Sequence, residues 1–400
     1  MSYDFDAPLE IRGTGSDKWD SVAEGVIPLW VADMDFAAPP ELTETLTGRA
    51  SRPFYGYNKR RPDYAGAIVS WYREQYGVTI GAADILPGPG TVPSLGAAVR
   101  AFTRPGDGVF IMPPVYVPFY QVIRENGRKT VEAPMRGGED GRFVFDRAAF
   151  EKAIDAAASA GVAAPLALFC SPHNPGGRVW SGEEIAAFLD FAESRNMIVA
   201  ADEIHGDFVF GGEGGTPGGF VSTAAFPNHA GRLITVSGAN KSFNIGGLHV
   251  SHIIVRDENL RAKLGKVLAA DFHHSPDIFS ELAVETCYKS CGPWLAELKT
   301  YIKRNLEEAA GFLNDIPGIK AWVPGGTYLL WARVQGLVER AGCKDDLELV
   351  ERLESEAKVK ITNGSMYGGA GAGYARINAA CPRKLLLEGL GRIKTWAKQF

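Results

Sequence analysis

Short apolar segments that alternate with helical patterns constrain the fold of this chain more than any other feature. They lie between about residue 80 and residue 260 and are apolar at consecutive positions, which indicates strands buried on both faces. The predicted strands are 108–112, 165–169, 197–201, 233–236 and 253–255, and the predicted helices include 92–102, 146–160 and 181–195. Such alternation predicts an α/β fold with a mixed, mostly parallel sheet between helices.

The two ends of the chain have a different pattern. Residues 290–315 are amphipathic over a length typical of one long helix, and short strands at 326–331 and 374–378 alternate with helices near 345–358 and from Arg383 onward. We expect the first 50 residues to join this part. The sequence therefore predicts a large α/β domain at 51–288 and a smaller α+β domain made of 1–50 and 289–400.

Composition excludes several classes of protein. An apolar fraction of 46% and a charged fraction of 22% are ordinary for a soluble globular protein. The net charge of −5 argues against a nucleic-acid partner, and the absence of any run of 18 apolar residues argues against a membrane span. The acidic start lacks a secretory signal, and the five scattered cysteines suit reduced thiols better than disulfides or a metal site. We expect a cytoplasmic protein.

Side chains able to do chemistry follow four of the predicted strands. In chain order they are Tyr116, Asn174, the pair Asp202 and His205, and Lys241. Ligands of open parallel sheets bind outside the carboxyl ends of the strands, so we expect these side chains to meet in one crevice. A metal cluster around Asp202 is disfavoured, because neighbouring residues of a strand point to opposite faces.

A turn that contains Gly88 and Gly90 precedes the predicted helix 92–102. Free N–H groups at a helix N-terminus suit a phosphate. The turn is a weak signal by itself, because it lacks the P-loop lysine and does not match the dinucleotide fingerprint.

Together these groups meet the requirements of pyridoxal 5′-phosphate, PLP. A lysine of lowered pKa forms a Schiff base with an aldehyde, and a carboxylate keeps the pyridine nitrogen protonated. Taken singly, Lys241 is most simply a surface lysine, Asp202 a turn carboxylate, Tyr116 a packing aromatic and Arg376 a surface ion-pair residue. Their combination favours the cofactor site.

Four segments, Asn174-Pro-Gly-Gly177, Asp202-Glu-Ile-His205, Lys241–Leu248 and Arg376–Pro382, resemble fold-type I PLP enzymes of the class I/II aminotransferase superfamily. Four others are similar to the MalY/PatB branch, which includes cystathionine β-lyases and related carbon–sulfur lyases. They are Lys18-Trp-Asp20, the Trp30–Phe36 motif WVADMDF, Tyr55-Gly-Tyr57 and Arg178-Val-Trp180. The resemblance extends from about residue 10 to the C-terminus.

The resemblance implies a role for each matching residue. Lys241 would form the Schiff base and shuttle the substrate proton, Asp202 would pair with the ring nitrogen, and Tyr116 would stack on the ring. The other implied cofactor contacts are Asn174 at the ring oxygen, His205 near the ring, and Gly90, Thr91, Val92 and Ser237 at the phosphate. Arg376 would bind the substrate carboxylate. Tyr57 would reach the site from the second subunit of a homodimer.

Two positions depart from the superfamily pattern. Asn240 stands directly before the lysine, where relatives commonly have serine, and Ser237 lies four residues ahead of the lysine rather than three. His205 stands where many aminotransferases have tyrosine, and a structural histidine is as compatible with the pattern as a catalytic one.

The resemblance implies a PLP-dependent carbon–sulfur β-lyase that converts cystathionine-type amino acids to thiol, pyruvate and ammonia. An aminotransferase of an L-amino acid is the alternative, because both reactions start with the same lysine and the same proton removal. A third hypothesis is a regulatory protein without activity, although Lys241, Asp202 and Arg376 are all in place. The segment 272–279 and the N-terminal segment are expected to shape substrate specificity.

Overall fold

The computed structural model describes residues 3–138, 141–211 and 219–400. Its strands, in chain order β1 to β15, are Ile27–Pro28, Ile85–Gly88, Gly108–Ile111, Lys129–Glu132, Arg136–Gly137, Phe143–Val144, Leu166–Cys170, Ile198–Asp202, Leu233–Ser237, Ser251–Ile254, Lys320–Ala321, Leu329–Arg333, Val359–Lys360, Thr362–Asn363 and Tyr374–Asn378.

The α-helices, in chain order α1 to α13, are Asp17–Asp20, Pro40–Ala50, Asp63–Tyr76, Thr91–Phe102, Val117–Arg124, Arg147–Ser159, Gly182–Ser194, Glu258–Ala270, Ile278–Ser290, Gly292–Asn314, Gln335–Arg340, Asp346–Ser355 and Arg383–Ala397. In the described part of the chain, none of the helices is both long and apolar enough to cross a membrane.

Seven strands form the central sheet in the order β2-β10-β9-β8-β7-β3-β4. Every pairing is parallel except the two made by β10, which runs antiparallel to both β2 and β9. Alternate residues of β7 enter different apolar clusters, Leu166 and Leu168 on one face and Ala167 and Phe169 on the other. This two-sided burial explains why the strands are apolar throughout.

A second, antiparallel sheet has the strand order β11-β12-β15-β14. The N-terminal strand β1 pairs in parallel with β13, so residues 27–28 join a C-terminal element. The sheets and their pairings are compatible with the predicted division at 50/51 and 288/289, which stays a prediction.

The predicted α/β fold is confirmed, and each predicted strand of the central sheet is present with its ends shifted by at most two residues. The helix α7 begins with the capping box between Ser181 and Glu184 that its sequence predicts. The structure adds two strands of the sheet that the sequence analysis did not identify, β2 and β4. Both are edge strands, and only one of the four residues of β4, Val131, is buried.

Candidate active site

A cavity of about 430 Å³ lies at the carboxyl ends of the parallel strands. Its lining residues are Ala32, Gly90, Thr91, Val92, Pro93, Tyr116, Cys170, Asn174, Asp202, Ile204, His205, Asn240, Lys241, Gly246 and His249. The structure therefore brings together the side chains that follow β3, β7, β8 and β9, because parallel strands end at the same edge of the sheet.

Lys241 lies just beyond β9 and its Nζ donates a hydrogen bond to the carbonyl of Ala32. Burial lowers the pKa of the Lys241 amine, and the positive charge of Arg376 lowers it further, whereas Asp33 and Asp202 act in the opposite direction. A lowered pKa increases the neutral fraction of the amine, which is the form that attacks an aldehyde.

Asp202 is the last residue of β8 and is buried. Burial raises the pKa of its carboxyl to about 7, although the N–H of Ile204, 3.1 Å from Oδ1, and the charge of Lys241 favour the ionised form. A buried carboxylate with few donors favours a cationic partner. The protonated nitrogen of a pyridine ring is such a partner.

Arg376 on β15 is fixed by two hydrogen bonds. Nη1 donates to Oδ1 of Asn174 at 2.9 Å, and Nη2 donates to the carbonyl of Trp30 at 2.8 Å. The guanidinium also lies 5.1 Å from the ring centre of Tyr367. Its buried Nε has no partner among the described residues. The guanidinium is thus held in one orientation, which suits planar recognition of a carboxylate.

The N-terminus of α4 forms the opposite wall of the cavity. Gly90, its N-cap residue, has φ of 112° and ψ of 160°, a conformation that only glycine adopts readily. The first amides of a helix have no intrahelical acceptor, and Thr91 and Val92, the first residues of α4, both line the cavity. This arrangement suits a phosphate.

Two ring side chains in the cavity wall are held in their neutral forms. Burial lowers the pKa of His205 to about 3, and its ring packs edge-on against Tyr328 at 5.5 Å. Burial raises the pKa of Tyr116 to about 12, and the nearby Asp202 carboxylate raises it further. Neither ring carries a charge at neutral pH.

Two predicted site residues lie elsewhere in this chain. The Ser237 hydroxyl donates to the carbonyl of Glu203 at 3.1 Å, and Ser237 does not line the cavity. Tyr57 is fully exposed, in the segment between α2 and α3. Their implied roles at the phosphate and across a dimer stay predictions.

The acidic residues near Asp202 point in different directions. Glu203 accepts hydrogen bonds from Ser222 and Thr223, and Asp207 accepts them from Trp71, Tyr76 and Ser242. As the strand alternation predicts, Asp202 alone of these carboxylates lines the cavity.

The N-terminal segment forms part of the cavity wall. From the sequence, this segment could be identified only as a family motif, without a place in the site. Its Ala32 carbonyl accepts hydrogen bonds from both Lys241 and Tyr328. A buried ion pair between Lys18 and Asp35, 2.8 Å long, fixes the segment. The spacing of Lys18-Trp-Asp20 and the Trp30–Phe36 motif was the available signal, but spacing alone does not show that backbone carbonyls face the lysine.

Asn240 and His249 also line the cavity, and sequence reasoning assigned neither a contact there. The Asn240 Oδ1 and the His205 Nδ1 are buried without a partner among the described residues. Unpaired buried polar atoms in a cavity wall indicate a polar ligand.

The family model for aminotransferase class I and II matches residues 24–393. The chain therefore belongs to this family, an enzyme family whose cofactor is PLP. Among its relatives, the cystathionine beta-lyase PatB of Bacillus subtilis (strain 168) is 37% identical over 396 residues, which cover 98% of each chain. The protein MalY of Escherichia coli (strain K12) is 31% identical over 97% of each chain. These matches confirm the resemblance to the MalY/PatB branch.

The crystal structure of cystalysin from Treponema denticola, which contains PLP, superposes with a TM-score of 0.91. Its sequence is 32% identical, and the match covers all of both chains. The residues of the cavity fit this cofactor: an amine of lowered pKa, a buried carboxyl of raised pKa, free amides at a helix N-terminus and unpaired buried polar atoms lie around one space.

Proposed function

We propose that this protein is a PLP-dependent carbon–sulfur β-lyase that acts on cystathionine-type and other S-substituted cysteines. The observation that carries the proposal is the single cavity that joins Lys241, Asp202 and the Asn174–Arg376 pair. The relative named as a cystathionine beta-lyase, at 37% identity over nearly the whole chain, favours this reaction over transamination.

Each side chain has a defined task in this proposal. Arg376 binds the α-carboxylate of the substrate, and Lys241 removes the proton from Cα. Asp202 keeps the pyridine nitrogen protonated, and Asn174 donates to the ring oxygen. Bound PLP supplies the electron sink for the pair released at Cα. The neutral Tyr116 covers the ring without adding charge.

The overall reaction takes one water and converts the S-substituted cysteine to thiol, pyruvate and ammonia. The Cβ–S bond breaks and its electron pair leaves with sulfur. A thiol has a pKa of roughly 8.5, so thiolate leaves much more readily than hydroxide from the same position. This difference explains why sulfur at Cβ is the natural substrate feature for these groups.

The proposal includes a homodimer with Tyr57 reaching the partner's cavity. Three exposed aromatic side chains support an interface there: Phe54 at 73%, Tyr55 at 60% and Tyr57 at 109% exposure. This aromatic patch is tied to the segment 272–279, because Asn58 donates to the carbonyl of Pro276 and Arg60 to that of His274. Clustered exposed aromatic residues are typical of protein interfaces.

A reducing compartment such as the cytoplasm also belongs to the proposal. All five cysteines are buried and none is in a disulfide. Free thiols of this kind are typical of proteins in a reducing environment.

The test is to supply the holoprotein with L-cystathionine and to measure pyruvate, ammonia and free thiol. We expect the three products in equal amounts without any added keto acid. Lys241→Ala should form none of these products. It should also lose the visible absorption of the Schiff base between lysine and PLP, together with the covalent attachment of PLP that borohydride reduction of this bond produces. Turnover that requires a keto acid and gives no pyruvate would instead identify an aminotransferase.

A further inference from the structure

Asp33 follows Ala32, a residue of the cavity wall, and is assigned no step in the proposed reaction. Its backbone is fixed: its carbonyl accepts hydrogen bonds from Lys18 Nζ at 3.1 Å and from Asn378 Nδ2 at 2.6 Å. The residue before it, Ala32, provides the carbonyl that binds Lys241. The position of the Asp33 side chain is therefore determined by a rigid segment next to the reacting lysine.

The Asp33 carboxylate itself is half-buried and has no hydrogen-bond or ion-pair partner in the described part of the chain. Its Oδ1 lies 4.0 Å from the position that a Cβ on Gly246 would occupy, and Gly246 lines the cavity. Its charge acts on groups of the cavity wall, because it opposes the lowering of the Lys241 pKa and helps to raise that of Tyr328.

Positive charge is scarce where a substrate side chain would lie. Among the described lining residues, Lys241 is the only lysine and no arginine is present. Arg376, behind Asn174, is directed by its own hydrogen bonds toward the α-carboxylate task. His205 stays neutral because burial lowers its pKa to about 3. A second carboxylate on the substrate would meet Asp33 without a fixed cation to bind it.

We propose that Asp33 is a specificity-determining residue, selecting cysteine conjugates whose sulfur substituent carries an ammonium group and disfavouring those that carry only a carboxylate. This inference rests on the proposed lyase function. Cystathionine, whose distal end carries an ammonium group beside its carboxylate, would be accepted through that ammonium. The same carboxylate would disfavour aspartate and glutamate, the dicarboxylic substrates of many transaminations.

The test uses three S-substituted L-cysteines of similar size and different charge: S-(2-aminoethyl), S-propyl and S-carboxymethyl. Pyruvate formation gives kcat/KM for each with the holoprotein and with Asp33→Asn. Because each substrate is compared with itself, differences between the leaving thiols cancel. Asp33→Asn should lower kcat/KM for the aminoethyl substrate roughly five- to tenfold and raise it for the carboxymethyl substrate by a similar factor. The change for the propyl substrate measures the effect of the lost charge on Lys241 itself, so the changes for the two charged substrates are taken relative to it.

Asp33→Glu is the matched control because it keeps the carboxylate. Its kcat/KM should remain higher for the aminoethyl substrate than for the carboxymethyl substrate, as in the wild type. In the wild type, added KCl should reduce the preference for aminoethyl over carboxymethyl, because salt screens a charge that is partly exposed to solvent. Equal changes for all three substrates, or a preference that salt does not alter, would overturn the role of Asp33. No pyruvate from S-propylcysteine with the wild type would instead reject the lyase function. If Asp33→Asn fails to fold, the salt dependence of the wild-type preference still tests whether a charge selects between the substrates.

Discussion

At the scale of single residues, the main feature of the cavity is that burial shifts the pKa values of several of its ionisable side chains in favour of their neutral forms. Burial raises the pKa of Asp202 to about 7, so its carboxyl is partly protonated near neutral pH before any ligand binds. Burial also lowers the pKa of Lys241, which increases the neutral fraction of its amine. Groups with pKa values shifted in this way are concentrated in active sites.

The raised pKa of Asp202 predicts a pH-dependent stability for the cofactor-free protein. The folded-state pKa of about 7 exceeds the ordinary aspartate pKa of 3.8, so the folded state binds the proton more tightly. This stabilisation is present below about pH 4 and is lost as the pH rises toward 7. We expect the free energy of unfolding, wild type minus Asp202→Asn, to fall by up to about 1.4 kcal/mol per pH unit between pH 5 and 7.

Urea unfolding of both apoproteins at several pH values measures this difference. Buried His173, His205 and His252, each with its pKa lowered to about 3, titrate in both proteins and largely cancel. PLP should reduce the slope, because the pyridinium pairs with the ionised carboxylate. A difference that rises with pH would contradict the assigned shift.

At the scale of elements, helix α4 forms the wall of the cavity to which we assign the phosphate, and a single backbone conformation determines how it begins. Gly90 has φ of 112° directly before Thr91. A side chain at this position would have to adopt backbone angles that are essentially restricted to glycine. If this helix start binds the phosphate as proposed, its geometry depends on the conformation of one residue.

Gly90→Ala should destabilise the protein by about 1–3 kcal/mol and weaken PLP binding at least tenfold. Gly265→Ala in α8 is the matched control, because Gly265 has open space around its Cβ position and no positive φ. That variant should gain up to about 1 kcal/mol of stability and bind PLP as the wild type does. Equilibrium dialysis and urea unfolding separate the two effects. Normal PLP binding by Gly90→Ala would remove this helix start from the phosphate site.

At the scale of the whole molecule, the cavity is completed by a segment far away in sequence. The N-terminal segment carries the carbonyls that bind Lys241 and Arg376, and it is fastened to the C-terminal part by the pairing of β1 with β13. If Tyr57 completes the partner's cavity as proposed, the active unit includes two chains.

Hybrid dimers test this arrangement. Lys241→Ala and Tyr57→Ala should each have little lyase activity alone. After denaturation and refolding together, mixed dimers should contain one cavity with both wild-type residues, so activity should return to about a quarter of the wild-type value. The control is Phe400→Ala, which changes another exposed aromatic residue. Unlike Tyr57→Ala, this variant should by itself keep the lyase activity of the wild type. No recovery in a confirmed dimer would contradict the contribution of Tyr57.

Local sequence determined the α/β class and the common location of most of the candidate catalytic residues. Two-sided burial makes strands apolar throughout, and parallel strands bring their carboxyl ends to one edge, so Asn174, Asp202 and Lys241 could be placed together from their positions after strands. The start of α7 could also be predicted, because a capping box is a local signal.

Only the tertiary structure decided what surrounds these groups. The carbonyls of Trp30 and Ala32, the unpaired carboxylate of Asp33 and the turn of Ser237 toward Glu203 depend on contacts between segments distant in sequence. Backbone carbonyls are common to all residue types, so no sequence pattern marks those that face a cavity. The pKa shifts of Lys241 and Asp202 also arise from burial, which packing of the whole chain determines.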